Sequence, residues 1–488
     1  MENGSGFAGQ GRRSSRQSTS MVPETVRVEG RDVHPARVES NYDVFRAPKF
    51  VLLKARWVSD TEVNTCAACG AKFNQLRRKH HCRLCGLVFC AKCCKEKMRL
   101  PQLACEEAER VCELCRPVAE LVTKSRSSHL PFQLDSAKGL AQATRNPALV
   151  PKVVELGGIQ ALITLSLIDS VHIRRHVTSG LHVLSTHQQL HTSLAEAGAI
   201  KAVCKVLTSV GHTEDDTLCD GISALMVFCK APELKMRALD DGALGPVLAV
   251  CTHPTPAPAL LALMTLSHIA ENPATHEAIV DSPKQALPRI LAMTATQDEQ
   301  MQEVSLKILA HLSNGADKIR HRIVQDDFSS GRCLHKALGS NPKSDQVLCN
   351  AACLVANLAV SGSDQGGLHD VMELCGTLLT TGPSNTELLA HLTRALANFA
   401  AFKQNTSRLI GNVQPVVSNC LRSGVSPVRT HALRFLLSLL AHLPEQTAQA
   451  LTRDGAQELL QGLGSVPGLL DVIKSSLVAQ APDRAKPM

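Results

Sequence analysis

Four Cys-x2-Cys pairs near the front of the chain set the strictest limit on how it can fold. They are Cys66/Cys69, Cys82/Cys85, Cys90/Cys93 and Cys112/Cys115, with 12, 4 and 18 residues between successive pairs. A tight turn inside each pair brings both sulfurs to one side, so each pair can chelate one ion. Eight thiolates suffice for two closed tetrahedra, which leave no coordination position for water, so the pattern predicts two structural zinc ions. Their binding energy would fold a segment of about 60 residues that has too little core of its own. The whole chain has 19 cysteines in 488 residues. That number would suggest disulfides in a small secreted domain, but in a long chain with no apolar signal-peptide core it points to metal. Cys94 and Cys105 fall outside the pattern and are read as non-ligands. The nine later cysteines (Cys204 to Cys420) are scattered through helical sequence and are expected to be small buried hydrophobes.

Around this segment the composition changes three times. Residues 1–45 are rich in Gly, Ser and Arg and are expected to be a disordered arm. The cysteine-dense finger spans 54–116, and 117–135 reads as a short helix and linker. From 136 to 480 the sequence is amphipathic helix punctuated by Gly, Pro and Asn. That tract repeats. Glu155-Leu156-Gly157-Gly158-Ile159 returns as Glu196-Ala197-Gly198-Ala199-Ile200 after 41 residues, and Asp241-Gly242-Ala243 follows 44 residues later. A second ladder runs through His268, His311, Asn357 and Asn398, with steps of 43, 46 and 41.

A period of about 40–47 residues with two or three helices per unit is the mark of armadillo and HEAT repeats, and the Gly-Gly-Ile turn resembles armadillo repeats specifically. The expected fold is therefore mainly α: an armadillo/HEAT-like α-solenoid of seven to eight units, with degenerate units near Asp327–Leu338 and Val371–Leu379, preceded by a small α+β finger. Stacked neighbours would cover the apolar face that a single repeat cannot. By this resemblance the His/Asn ladder sits where armadillo repeats hold a peptide's backbone; the competing reading is that these side chains satisfy neighbouring helix ends.

The residues between the cysteines carry a second resemblance. Trp57-Val58-Ser59-Asp60, then Arg78-Lys79-His80-His81-Cys82-Arg83-Leu84-Cys85-Gly86, then Arg110-Val111-Cys112 stand in order on the cysteine spacing. Together they resemble the FYVE zinc finger. The resemblance implies a cross-brace, with Cys66, Cys69, Cys90 and Cys93 on one zinc and Cys82, Cys85, Cys112 and Cys115 on the other.

Charge points the same way. Residues 54–116 hold 13 Lys/Arg and 7 Asp/Glu, contributing +6 of the chain's formal +8. A charge run alone reads as a solvated face. Here paired histidines are pinned by zinc cysteines on both sides, and the cluster suits a multiply charged phosphate monoester. The resemblance implies phosphatidylinositol 3-phosphate as ligand. Arg78, Lys79, His81, Arg83 and Arg110 would hold the phosphates, while Asp60 and His80 would bind inositol hydroxyls and exclude head groups phosphorylated there. Trp57 is expected to pack so as to position Asp60. Leu76 is the one apolar residue of the loop expected to enter the bilayer. Phosphate-binding histidines also predict affinity that rises as pH falls from about 7.5 to about 6.

Other functions are disfavoured by the residues. Aromatics are 3% of the chain, with one Trp and one Tyr, which disfavours base stacking on nucleic acid. No apolar run approaches the roughly 18–20 residues of a membrane span. No catalytic motif of the hydrolase, metalloprotease, P-loop or dinucleotide type is present, and a RING-type ligase lacks the basic run. The chain reads as a cytosolic, non-enzymatic scaffold, peripheral on early endosomes, with an unidentified protein partner on the solenoid groove. The alternative is a protein-only adaptor whose finger binds a small GTPase or another protein.

Overall fold

The computed structural model describes residues 24–39, 45, 49–211, 213–282, 285–339 and 344–453. The chain divides into two compact units, Met1–Val203 and Cys204–Met488.

The first unit opens with a hairpin where a disordered arm was expected. Strands β1 (Val26–Val28) and β2 (Arg31–Val33) pair antiparallel around Glu29-Gly30, both with positive φ. Two consecutive left-handed residues match the twist of a two-residue hairpin loop. Val26, Val28 and Val33 are buried, so alternate valines provide the apolar face that overall composition concealed. The remainder of that arm, residues 1–23 and 40–44, lies outside the described residues. Downstream, the Ala36 N–H donates to the Val154 carbonyl at 2.9 Å, and Gln160 Nε2 donates to the Ala36 carbonyl at 3.1 Å. The strap is thereby sewn to the first repeat.

The finger follows, with two short antiparallel pairs: β3 (His80–His81) with β4 (Val88–Phe89), and β5 (Lys97–Leu100) with β6 (Cys105–Arg110). Helix α1 (Arg116–Ser125) starts on the residue after Cys115, with Pro117 in its first turn. Its Val118, Ala119 and Val122 are fully buried. It packs on α2 (Leu130–Thr144), and only four residues separate the two helices. The linker expected over 117–135 is therefore part of the helical core, because an amphipathic helix exposing three apolar residues gains from docking. Leu52 N–H donates to the carbonyl of buried Gln102 at 2.8 Å, and Thr123 donates to its side chain at 3.3 Å. Finger and first repeat thus share one core.

The first repeat has three helices, α3 (Val150–Glu155), α4 (Gly158–Leu165) and α5 (Val171–Ser185). Gly157 turns the chain between the first two in the left-handed region (φ +85°), and a Cβ there would lie 2.8 Å from Leu52. Any other residue would meet both backbone strain and a clash. All eight residues of α4 are buried.

The second unit repeats the pattern. Long third helices begin at Asp215, Pro256, Glu299, Asp345, Thr386 and Ser426, and neighbours from Asp215 onward lie side by side. Most are preceded by shorter first and second helices, such as His276–Val280 and Ala286–Met293 before Glu299–Ser313. This is an armadillo-like solenoid. The two units expected to be degenerate do deviate. One has a longer first helix, Asp317–Ser329, and the other replaces its first helix with the 3-10 stretch Gly362–Leu368. Residues 454–480 of the expected solenoid lie outside the described residues. Of the nine later cysteines, seven are buried, and Cys219 and Cys353 are half-buried.

One repeat device escaped the sequence reading. His276 Nε2, Gln365 Nε2 and Asn405 Nδ2 each bond the carbonyl six residues earlier, at 2.8, 3.1 and 3.0 Å, where the preceding third helix ends. They satisfy carbonyls that a helix terminus leaves unpaired. Because the residue type changes at each step, no motif is visible.

Candidate metal centre and anion site

Each zinc knuckle is built by local geometry. Cys69 and Cys85 are each followed by a glycine with positive φ, Gly70 (+67°) and Gly86 (+69°). Their N–H groups donate to the Cys66 and Cys82 carbonyls, both at 2.9 Å, closing the turn that aligns each sulfur pair. A Cβ on Gly86 would come within 2.2 Å of the Arg56 carbonyl oxygen, so this position also needs glycine for close approach.

The eight cysteines gather into two sets, Cys66/Cys69/Cys90/Cys93 and Cys82/Cys85/Cys112/Cys115, with the four sulfurs of each set within 4.8 Å of one another. This is the cross-brace. Zn–S bonds of about 2.3 Å in a tetrahedron put sulfurs about 3.8 Å apart, and Cys69 and Cys90 stand at 3.9 Å. Burial pushes the Cys66 thiol up, but hydrogen bonds from the Cys69, Cys90 and Ala68 backbone outweigh it and bring it down to about 6, toward the thiolate a metal requires. The donor sets fit two structural zinc ions. Cys94 belongs to neither set, and burial pushes its thiol up to about 12.

The second knuckle carries the basic motif. Ser59 accepts the Thr61 N–H at 3.3 Å and starts a 3-10 turn, Asp60–Glu62. Lys79 Nζ donates to the Asp60 carbonyl at 2.5 Å. His81 Nε2 donates to the Val58 carbonyl at 2.7 Å and lies 3.8 Å from the Asp60 carboxylate. Asp60, Lys79 and His81 are therefore brought together. Arg83 N–H donates to the Arg110 carbonyl at 2.9 Å, joining the knuckle to the end of β6. Arg110 Nη1 donates to the Cys94 carbonyl at 2.9 Å. His80 is half-buried beside Arg110 and Arg78, and burial, then those two charges, lower its pKa. The His80 imidazole thus stays neutral to a lower pH than the unperturbed value behind the pH expectation. Arg78 is exposed.

Trp57, expected to pack so as to position Asp60, is half exposed and packs against His81 rather than against Asp60 itself. Its ring stacks on His81 at 4.2 Å between centroids, and the Arg83 guanidinium stands 5.7 Å from it. A flat indole at a site edge can orient both side chains while staying wet. Glu109, which the sequence reading passed over, lies 3.7 Å from Arg83 Nε. Leu76 is 96% exposed. The Asn74 side chain props up its loop by accepting the Leu76 and Arg77 N–H groups at 3.0 and 2.8 Å.

In the second unit, the two asparagines of the ladder serve helix ends. Asn357 Nδ2 donates to the Ala310 carbonyl at 3.3 Å and to Ser313 Oγ at 3.0 Å. Asn398 Nδ2 donates to the Ala356 carbonyl at 2.8 Å, and its Oδ1 accepts from Arg434 at 3.1 Å. Both carbonyls lie in the last turn of the preceding third helix, among the groups a helix cannot satisfy itself. His268 pairs with Glu271 at 3.3 Å.

The molecule is thus a small two-metal cross-brace finger merged with helical repeats. Residues 56–120 match the family model described as the FYVE zinc finger, so this stretch is a FYVE domain. Over 64 residues the chain is 45% identical to "Lateral signaling target protein 2 homolog" from Brugia malayi, covering 13% of this chain and 10% of that one. Over 62 residues it is 47% identical to "Zinc finger FYVE domain-containing protein 9" from Homo sapiens, covering 13% and 4%. Over 77 residues it is 36% identical to the human "1-phosphatidylinositol 3-phosphate 5-kinase", covering 16% and 4%. The chain thus spans a tenth or less of the length of these three relatives. Among solved structures, an engineered protein from the Northeast Structural Genomics Consortium aligns over 74% of this chain and 98% of its own, with a TM-score of 0.54 at 20% identity, a likeness of fold.

Proposed function

We propose that the protein is a non-enzymatic scaffold recruited to early endosome membranes by phosphatidylinositol 3-phosphate. Arg78, Lys79, His81, Arg83 and Arg110 hold the phosphates. Asp60 and His80 take inositol hydroxyls, and Leu76 enters the bilayer. The armadillo-like repeats bind a protein partner. The observation that carries the reading is the meeting of Asp60, Lys79 and His81 on the zinc knuckle, one residue before Cys82 and beside Arg83. A carboxylate within a cationic phosphate site makes chemical sense as a discriminator, since it repels head groups bearing a second phosphate at its own position. The match to a FYVE domain and the phosphatidylinositol 3-phosphate in the name of the 5-kinase relative support the same lipid. Zinc closed by four thiolates offers no open position for catalysis. No described helix is long and apolar enough to cross a membrane, in keeping with peripheral attachment.

The test is pelleting with vesicles of phosphatidylcholine carrying phosphatidylinositol 3-phosphate, 4-phosphate or 3,5-bisphosphate. Wild type is expected to prefer the 3-phosphate, Arg83→Ala to lose the preference, and Asp60→Ala to relax it toward the bisphosphate. Equal binding to all three lipids would leave the protein-only adaptor as the better reading.

A further inference from the structure

On the zinc knuckle, one chain of side-chain contacts begins on a carboxylate and ends on another. Asp60 Oδ1 stands 3.8 Å from His81 Nε2. His81 stacks on Trp57 at 4.2 Å between centroids, and the Arg83 guanidinium stands 5.7 Å from the Trp57 ring. Arg83 Nε in turn lies 3.7 Å from Glu109 Oε1. Two groups that would hold phosphate, His81 and Arg83, therefore each have an acid beside them. The two acids come from different parts of the finger, Asp60 from the 3-10 turn Asp60–Glu62 and Glu109 from strand β6.

Glu109 does not behave as a structural counter-ion. A structural pair closes its hydrogen bonds, whereas 3.7 Å lies outside N–H···O range. Arg83 Nε is buried and has no hydrogen-bond partner, a donor that proteins rarely leave unfilled. Arg83 is anchored instead through its backbone, whose N–H donates to the Arg110 carbonyl at 2.9 Å. The carboxylate thus acts on the guanidinium through its charge and leaves the donor open. Of the other glutamates on β6, Glu106 and Glu107 are exposed, while Glu109 is half-buried against the knuckle.

We infer that Glu109 is a specificity-determining residue, whose carboxylate bars a second phosphate from the Arg83 end of the site as Asp60 does at the His81 end. The inference deepens the lipid-binding half of the proposed function and rests on it. A phosphate monoester carries a charge of about −1.5 to −2 at neutral pH. A purely cationic site gains from every phosphate added, so it would favour the most highly phosphorylated head group. Acids at both ends reverse that order. The first phosphate meets the cations, and a second one beside Arg83 meets the Glu109 carboxylate at close range. Like-charge contact of this kind is how a binding site rejects a wrong partner. Since the 3,5-bisphosphate is the head group assigned to rejection by Asp60, Glu109 is left to reject the 3,4-bisphosphate.

The test uses the full zinc-loaded chain and phosphatidylcholine vesicles carrying phosphatidylinositol 3-phosphate, 3,4-bisphosphate or 3,5-bisphosphate. The quantity read is the ratio of bisphosphate to 3-phosphate affinity. Glu109→Gln is expected to raise that ratio for the 3,4-bisphosphate by about tenfold, with zinc content unchanged. Asp60→Ala is expected to raise it for the 3,5-bisphosphate instead. Glu109→Asp, which keeps the charge, should keep the wild-type ratios. Glu106→Gln, an equal charge change roughly 10 Å along the same strand, should keep them as well. Should Glu109→Gln lose zinc, Glu109→Thr, a residue suited to a strand, must give the same shift. The inference is overturned if Glu109→Gln leaves the ratios where they were, if Glu106→Gln or Glu109→Asp moves them as far, or if Glu109→Gln and Asp60→Ala admit the same bisphosphate. A wild type that prefers the 3-phosphate while Glu109→Gln changes nothing defeats this inference alone. A wild type with no preference for the 3-phosphate defeats the lipid reading, and this inference with it.

Discussion

The finger and the repeats solve the problem of covering apolar surface in opposite ways. The finger has short strands of two to six residues and gathers eight sulfurs at two points. The repeats gather nothing at a point. They bury rows such as Leu306, Ile308, Leu309 and Leu312, each without exposure, against the next helix. The first arrangement depends on an ion and is all-or-none. The second depends on area and is spread over many small contributions. The difference explains why the finger needs specific residues at specific spacings, while the repeats tolerate His, Gln or Asn at one structural position.

Removing zinc is the harshest way to test this contrast. Structural zinc contributes about 10–16 kcal/mol to folding in isolated fingers, far more than any side chain here. Dialysis against a strong chelator should release two zinc equivalents, abolish vesicle pelleting and leave most of the helical circular dichroism in place. If the helical signal collapses in parallel, the repeats do not stand on their own burial and the contrast is wrong.

Next in size is a cavity in the repeats. Leu309→Ala deletes a side chain with no exposure, and such changes cost about 2–5 kcal/mol. The expected result is a lower melting temperature by helical signal, with zinc content and pelleting unchanged.

These two experiments also trace what could be read from the residues. The zinc ligands were legible because chelation is local. Two sulfurs two residues apart either share an ion or do not, and the four pairs are contiguous. The repeat period was legible because Gly157 and Gly198 recur where left-handed turns require them. The strap at β1 and β2 was not. Three-residue strands carry little signal, and the groups that hold the segment, Val154 and Gln160, lie more than a hundred residues away. Helix α1 was seen as helical but assigned to a linker, since its partner α2 is defined only by packing. Within the candidate site the residue types were legible. The stacking of Trp57 on His81 and the approach of Glu109 to Arg83 were not, because the first depends on how the segment before Asp60 lies against the knuckle, where Val58 N–H donates to the Gly86 carbonyl, and the second on how β6 returns beside it.

Arg83 tests the finger's function rather than its fold. Charge-assisted hydrogen bonds are worth about 1.5–3 kcal/mol, so Arg83→Ala should weaken binding to 3-phosphate vesicles by about 10–150-fold while zinc content stays at two. Glu109→Gln should act in the opposite sense, freeing Arg83 of its nearest carboxylate. A loss of zinc in Arg83→Ala would move this residue from ligand binding to structure.

A buried carboxylate offers a milder probe of the repeats. Burial first, then Asp370, raise Asp327 to about 6, although its Oδ1 accepts the Leu334 N–H at 3.0 Å. The unfolded carboxyl titrates near 3.9. A folded pKa above the unfolded one means the protonated form stabilises the fold. That contribution is complete below about pH 4 and is lost as pH rises through about 6. Asp327→Asn keeps the acceptor and removes the ionisation. It should match wild type near pH 4 and be more stable by about 1–3 kcal/mol at pH 7.5. Equal melting curves at both pH values would show that the carboxylate finds solvent.

The smallest expected effect belongs to Leu76, and it decides how the finger meets a membrane. Fully burying a leucine gains about 1.5–3 kcal/mol, and alanine keeps part of that. Leu76→Ala should therefore weaken pelleting by less than about tenfold, far less than Arg83→Ala, whereas Leu76→Trp should strengthen it. Both changes should leave the preference among phosphoinositides untouched, since the proposed function gives lipid entry to the loop and head-group selection to the knuckle. If Leu76→Ala instead matches Arg83→Ala in size, apolar insertion outweighs charge at this surface. The finger would then share with the repeats the very reliance on buried area that otherwise sets the two apart.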